Sequence, residues 1–449
     1  MRTGKLCLPL LSLLLLSGLL VGQVSALPFY GARAAAMGGA YTAVSDDEAS
    51  VYYNPAGMTV AGDYFACVPS FVMSSEDRMT EAIDRFVTLR DEINDNAFGN
   101  LNDLYASLDK TAAYLAKQEN DPSGTTGYLS YGAGVMLGPM AISWLGGGQG
   151  DGLFVGDANP GRLIPDYLLG DAALVHQFYT NGYLNQQQLM ALWPSYPDPD
   201  GFLGDEAGNG VGLGDNRSEI RLSEYARQEF VATYADFLWR RGRRNEFFVS
   251  AGVNVKYLVT QYYGHSYSFD DEEAYHTGPA WVFNALATEP VIGGAASADI
   301  GLLAGFTPYA RIGLLARDVI PAPIAWSEEV PGAPQRLQPL WRIGIASEVI
   351  PDILMLAFDV DLNEQPGLFS PQQDFSAGLR LTLPGGGFWM AGGVKLNLAD
   401  KEQLPLYTVG TGFHAGGIRF DLAVGIGTID TSGKANTYFS IGADAGFSL

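Results

Sequence analysis

Cysteine is almost missing from this chain of 449 residues: there are two, Cys7 in an apolar N-terminal stretch and Cys67 alone beyond it. A single thiol forms no internal disulfide and no multi-cysteine zinc site. Histidine is nearly as scarce. The four, at 176, 265, 276 and 414, show none of the paired spacing, as in His-Glu-x-x-His, that sets two ligands on one helix face. Basic residues are few as well, 26 against 49 acidic ones, for a net charge of −23. That balance excludes nucleic acid as a partner, because basic patches are needed to neutralise phosphates. After residue 26 no apolar run approaches the roughly 18 residues of a membrane-spanning helix. Also missing are a Gly-x-Ser-x-Gly elbow, a phosphate loop ending in Lys-Ser/Thr and a dinucleotide fingerprint. The expectation is a protein that is not an enzyme and uses no cofactor or metal.

What is present begins with an export signal. Arg2 and Lys5 open it, residues 10–20 are almost wholly apolar, and Val24-Ser25-Ala26 fits a small-residue cleavage site. Residues 1–26 therefore read as a signal peptide, and its removal takes the net charge to −25. Glycine (56), tyrosine (23) and phenylalanine (23) are all abundant in the chain. An exported chain of this kind is either soluble or crosses a membrane as strands, and the residue pattern decides.

From about residue 246 onward, period-2 alternation recurs. Phe247, Val249, Ala251, Val253, Val255, Tyr257 and Val259 share one face, with Ser250, Gly252, Asn254 and Lys256 on the other. Leu354, Leu356, Phe358, Val360 and Leu362 oppose Asp359 and Asp361. Similar segments set Arg380, Lys395 and Arg419 at mid-strand on the small, polar face. In a sandwich those charges would face water. In a transmembrane barrel the apolar face meets lipid and the charges line a wet lumen.

Connection lengths separate the two. Fourteen strand segments can be counted, and their connectors alternate long and short. Long stretches at 73–126, 147–217 and 261–296 alternate with tight links such as Leu137-Gly138-Pro139, Arg240-Arg241-Gly242-Arg243-Arg244 and Thr307-Pro308. Long loops at one end and tight periplasmic turns at the other are the pattern of outer-membrane barrels. The fold class expected is therefore all-β, a transmembrane antiparallel barrel of about fourteen strands over residues 63–449, multi-pass in the outer membrane of a Gram-negative-type bacterium. Outer-membrane lipid and the assembly machinery are its implied partners.

The three long loops together carry −18, which solvated loops often do. The first reads as helical, with Ser74 and Asp77 as a possible capping box. The second holds an acidic, glycine-rich run at 198–216 whose spacing does not match an EF-hand, so a solvated loop is the simpler reading. Asp359 and Asp361 on one strand face suit fixed lumen charge better than an acid–base pair. Phe154, Phe178, Trp281 and Phe283 are candidates for an apolar pocket near the outer loops.

Residues 46–58 read DDEASVYYNPAGM. Asn54 suits the first position of a type I turn, Pro55 the second and Gly57 the fourth. The longer stretch 31–58, GARAAAMGGAYTAVSDDEASVYYNPAGM, resembles the N-terminal segment of the FadL-like outer-membrane transport proteins. LLARDVIPAPIAW, LQPLWRIGIA and LMLAFDVDLNE, from Leu314 onward, look like the conjugal-transfer TraF-like branch. The resemblance implies that residues 27–62 fold inside the barrel as a hatch. It also implies that small hydrophobic compounds such as long-chain fatty acids pass through. Only Asn54, Pro55, Ala56 and Gly57 carry over as hatch or gate residues. The end, Phe447-Ser448-Leu449, departs from the terminal aromatic on which outer-membrane barrels often close. The competing reading is a non-transporting platform for secretion or conjugation machinery.

Overall fold

The computed structural model describes residues 29–61, 64–77, 123–155, 218–241, 247–268, 290–307, 309–328, 334–366, 371–399, 405–430 and 435–448. Alternating residues favour extended chain, and the strands follow in order: β1 Tyr64–Asp77, β2 Ser123–Leu137, β3 Met140–Val155, β4 Glu219–Arg241, β5 Phe247–Ser268, β6 Val291–Thr307, β7 Ala310–Arg317 and β8 Ala325–Trp326. Then come β9 Leu340–Ile350, β10 Leu354–Asp361, β11 Asp374–Thr382, β12 Phe388–Asn397, β13 Leu406–Ala415, β14 Ile418–Asp430 and β15 Ala435–Ser448. Except for the two-residue β8 these are the fourteen staves of one antiparallel barrel, with β7 pairing β9. Tyr64 opposite Ser448 joins β1 to β15 and closes the ring, so no stave is left as an open edge.

The faces divide as a membrane requires. On β14, Ile418, Phe420, Leu422, Val424 and Ile426 are exposed while Arg419, Asp421 and Ala423 are buried. Those nine residues, 418–426, span roughly 23 Å at ~3.3 Å per residue and ~40° tilt, close to the height of an outer-membrane apolar band. At the tight-turn end, exposed Trp239, Phe247, Phe306, Tyr309, Phe388 and Phe413 form an aromatic girdle. Among the described residues no helix is long and apolar enough to cross a membrane.

Two expectations are corrected here. Several staves continue into the stretches read as loops: β1 to Asp77, β3 to Val155, β5 to Ser268, while β6 starts at Val291. The Ser74–Asp77 capping box is likewise not formed, because Ser74 pairs with Ser440 and Tyr128 in the ladder. Polar strand ends standing clear of the bilayer lose the apolar alternation that marks a strand in sequence. The rest of the helical reading of 73–126 lies outside the described residues.

The wall is uneven. β4 and β5 have 23 and 22 residues, β7 and β10 only eight each. Beyond Arg317 the chain leaves the regular ladder at Asp318, whose φ of 52° turns it, and Pro321 and Pro323 deny it further donors. It touches β6 again through scattered bonds, among them Val319 N–H to the Ala298 carbonyl, the Ser297 hydroxyl to the Ile320 carbonyl, β8 on Gly293 and Gly294, and Ser327 N–H to the Ile292 carbonyl. The main core lies inside the ring, where residues 29–61 pack against the inner faces of the staves.

Candidate functional site: the filled lumen

The inner segment is built for close packing. Helix α1, Ala32–Ala36, presents only methyl groups apart from Arg33, and its four alanines are buried. It ends in two glycines at positive φ, Gly38 (67°) and Gly39 (90°). Gly39 N–H donates to the Ala34 carbonyl at 2.9 Å and Gly38 N–H to the Ala35 carbonyl at 3.0 Å, a Schellman closure that satisfies the helix end. A second short helix, α2 Ser50–Tyr53, leads into Asn54. Asn54 caps a 3₁₀ turn over Pro55–Gly57, accepting from Ala56 N–H at 3.1 Å, and Gly57 N–H closes onto the Asn54 carbonyl at 2.8 Å. Helix α3, Met58–Ala61, follows.

The wall meets this segment with glycine. A Cβ would sit under 3.0 Å from the inner segment at Gly252 (Pro55), Gly301 (Asn54), Gly313 (Thr42), Gly378 and Gly393 (both Met37) and Gly410 (Ala36). These positions lie on β5, β6, β7, β11, β12 and β13. Missing side chains on the lumen face let wall backbone and segment backbone approach directly, which is a use for glycine in strands that otherwise weakens them.

Polar wall groups then hold the segment by its backbone. Asp359 Oδ2 accepts Tyr41 N–H at 2.9 Å and Thr42 N–H at 2.8 Å. Asp444 accepts Ala32 N–H at 2.5 Å, and Asn254 donates to the Val51 carbonyl at 2.9 Å. Thr408 donates to the Ala36 carbonyl at 2.9 Å. Asn54 donates to the Thr42 carbonyl at 2.9 Å and across to the Leu302 carbonyl of β6 at 3.0 Å. The amide of Asn54 thus joins two parts of the segment to the wall.

The acidic triplet is used entirely in ion pairs and hydrogen bonds. Asp46 meets Arg380 at 2.8 Å and Arg33 at 3.2 Å. Asp47 accepts from the Tyr41 hydroxyl at 2.7 Å and from Ala49 N–H at 3.0 Å. Glu48 pairs with Arg419, which also reaches Asp421 at 2.9 Å. Burial would raise the Asp46 carboxyl, but the Arg380 and Arg33 guanidiniums outweigh it and hold it well below the usual carboxylate range. Asp361 is held by Arg342 at 2.5 Å, and Lys395 pairs with Asp374 at 2.8 Å. All five charges singled out in sequence therefore face inward, Asp359 and Asp361 with different partners.

A further buried group escaped the sequence reading in part. Arg227, Lys256 and Arg317 interleave with Glu229, Asp299 and Asp318, at 2.5 Å for Arg317–Glu229, 2.6 Å for Lys256–Asp299 and 2.7 Å for Arg227–Asp318. The Arg317 guanidinium also lies 4.1 Å from the Tyr52 ring centre. Arg227 and Glu229 sit two apart on β4, a signal legible as charge alternation there. Among the described residues no group of three or more His, Cys, Asp or Glu is arranged to hold a metal.

Next to this polar layer the lumen face turns apolar. Trp326 stands 6.3 Å from Tyr225 and 6.4 Å from Tyr262, both edge to face. Ile324 and Leu337 pack with Leu258 and Ala295. Sequence assigned the apolar pocket to Phe154, Phe178, Trp281 and Phe283. Phe154 falls on β3 opposite Ser123 and Ile220, and its side chain is outside what is described. Residues 178, 281 and 283 lie outside the described residues altogether. A cavity of about 100 Å³ opens beside Tyr52 and Leu337, and its lining is mostly polar, including Arg227, Arg317, Asp318 and Arg342.

No protein-family model matches the chain, and neither does any curated protein. Several solved barrels superpose on it. The toluene transporter TbuX of Ralstonia pickettii does so at TM-score 0.47 and 11% identity, over 94% of this chain and 99% of the other. The Pseudomonas putida toluene transporter TodX gives 0.42 and 10%, over 95% and 99%. A Pseudomonas aeruginosa FadL homologue gives 0.43 and 8%, over 95% and 100%. The barrel itself rests on the closed ring of strand registers.

Proposed function

We propose that the protein is an outer-membrane channel for small hydrophobic compounds, with residues 29–61 as a hatch that closes the lumen. The observation that carries this reading is the apolar, aromatic patch of Tyr225, Leu258, Tyr262, Ile324, Trp326 and Leu337. A barrel lumen is normally polar, so aromatic side chains turned inward where the β7 ladder gives out are a place for an apolar solute to leave water. Three aromatic rings meeting edge to face suit a ring-sized compound better than an extended acyl chain. Monoaromatic hydrocarbons are accordingly favoured over long-chain fatty acids. Passage then requires the hatch to shift, because its polar contacts ring the lumen.

The second reading, a closed platform for secretion or conjugation machinery, draws on the same ion pairs, which tie the hatch to several strands at once. Uptake of labelled toluene and labelled oleate into proteoliposomes tests both. Uptake of toluene that falls several-fold in Trp326→Ala supports the channel and its route. No uptake of either compound by the unaltered protein overturns transport and leaves the platform, whereas undiminished uptake by Trp326→Ala overturns the route.

A further inference from the structure

β4 does not stop where its neighbour does. Met140, the first residue of β3, pairs with Tyr234, yet β4 runs on to Arg241, paired there among the described residues only with Phe247 of β5. The outward residues of β4 mark the bilayer: Phe230 and Tyr234 are exposed within the apolar band, and exposed Asp236 ends it. The tip that continues past this boundary is nevertheless apolar. The register shifts between Phe237 and Trp239, a bulge that leaves Leu238 68% and Trp239 50% exposed side by side. Arg241, opposite exposed Phe247, shares their outward face, whereas Arg240, opposite buried Phe248, lies over the Phe237 ring at 5.3 Å on the lumen side. Neither arginine makes an ion pair among the described residues. The charge is local, since the β9–β10 turn at the same end carries Glu348 and Asp352.

A strand end with one edge free and exposed apolar residues could accept a partner's strand. Here a bulge twists the edge away and two adjacent arginines charge it, and both features oppose strand addition. The same residues suit the headgroup layer. Trp favours the boundary between acyl chains and headgroups, and arginine buries its stem while its guanidinium pairs two N–H groups with phosphate oxygens. We propose that the end of β4, through Trp239 and Arg241, is a binding site for the headgroup of an anionic phospholipid in the leaflet at the tight-turn end. The site depends on the barrel's lying in a bilayer and is independent of transport. Each arginine near an anionic surface is worth roughly a fivefold enrichment at low salt, and the effect is screened as salt rises.

Tryptophan quenching tests it. The full chain is reconstituted in phosphatidylcholine vesicles with a minor fraction of phosphatidylglycerol, one lipid or the other carrying brominated acyl chains. The contribution of Trp239 is taken as the difference between the unaltered protein and Trp239→Phe. The expected result is several-fold stronger quenching per mole by brominated phosphatidylglycerol, reduced to parity in Arg241→Gln and in high salt but not in the inward-facing Arg240→Gln. Equal quenching by the two lipids overturns the site. Quenching by neither also overturns it, placing the tip in water and open to a protein partner. Native mass spectrometry of the unaltered protein is independent of any variant: retention of phosphatidylglycerol no greater than of phosphatidylcholine counts equally against the proposal.

Discussion

Asp359→Ala is the sharpest probe of what keeps the lumen filled. One carboxylate oxygen accepts two backbone donors of the inner segment, Tyr41 N–H at 2.9 Å and Thr42 N–H at 2.8 Å. All three groups are buried, so the lost acceptor is not replaced by bulk water. Hydrogen bonds to a charged partner are worth about 1.5–3 kcal/mol each, and a buried donor left unpaired costs a similar amount. Two such bonds make the expected loss about 3–6 kcal/mol, a shift of roughly 10²- to 10⁴-fold toward a displaced segment. The assay is amide hydrogen exchange of peptides covering 32–61 in the reconstituted protein, with heat-shifted gel mobility reporting whether the barrel is intact. Exchange in that segment should accelerate while the strand peptides stay protected. Asp361→Ala is the control, because Asp361 bonds to Arg342 and Asp374 in the wall. Protection of 32–61 that is unchanged in Asp359→Ala, with the barrel intact, would falsify the idea that backbone capture by wall carboxylates holds the segment.

Other outcomes follow from the same contacts. Gly393→Ala puts a methyl group against the Met37–Gly38 backbone, and overpacking of that kind costs about 1–3 kcal/mol; the temperature of heat-modified mobility should fall, whereas Gly385→Ala, with open space around it, should lose stability only through its φ of 97°. Asn54→Ala removes two donors and the acceptor for Ala56 N–H, and should raise single-channel conductance in planar bilayers; conductance indistinguishable from the unaltered protein would count against Asn54 as a latch. The Asp46 carboxyl is depressed below its ordinary 3.8, so its ion pairs stabilise the segment fully above that pH and lose their contribution as pH falls below it. Exchange protection of 32–61 should therefore be flat from about pH 8 to pH 5 and weaken only in stronger acid; a transition near pH 6 would contradict the Asp46–Arg380 assignment.

The barrel was legible because a membrane imposes a local rule. Each stave must send apolar side chains to lipid and polar ones to water, so Ile418 to Ile426 or Phe247 to Tyr257 show the alternation without reference to any other strand. Turn lengths are local too, and they yielded fourteen staves in the right order. Where the rule weakens, so did the reading. Strand ends outside the bilayer, such as Met73 to Asp77, carry no apolar alternation and passed as loop. The Ala32–Ala36 helix carries a local signal of its own, small residues closed by Gly38-Gly39.

Sequence by itself determined the two-faced strands, the tight turn at Asn54 and the presence of charges on the inner face. It did not say which charges meet. Asp46 and Arg380, or Arg227 and Asp318, are distant along the chain, and their partnership exists only once the ring has closed around the inner segment. Nor did composition explain the glycines. Gly252, Gly301 and Gly393 look like weak points in their strands until Pro55, Asn54 and Met37 lie against them. The inward turn of Trp326 depends likewise on where β7 leaves the ladder. Periodicity is a property of neighbouring residues, whereas complementarity between a lumen and what fills it is a property of closure, and only the tertiary structure decides it.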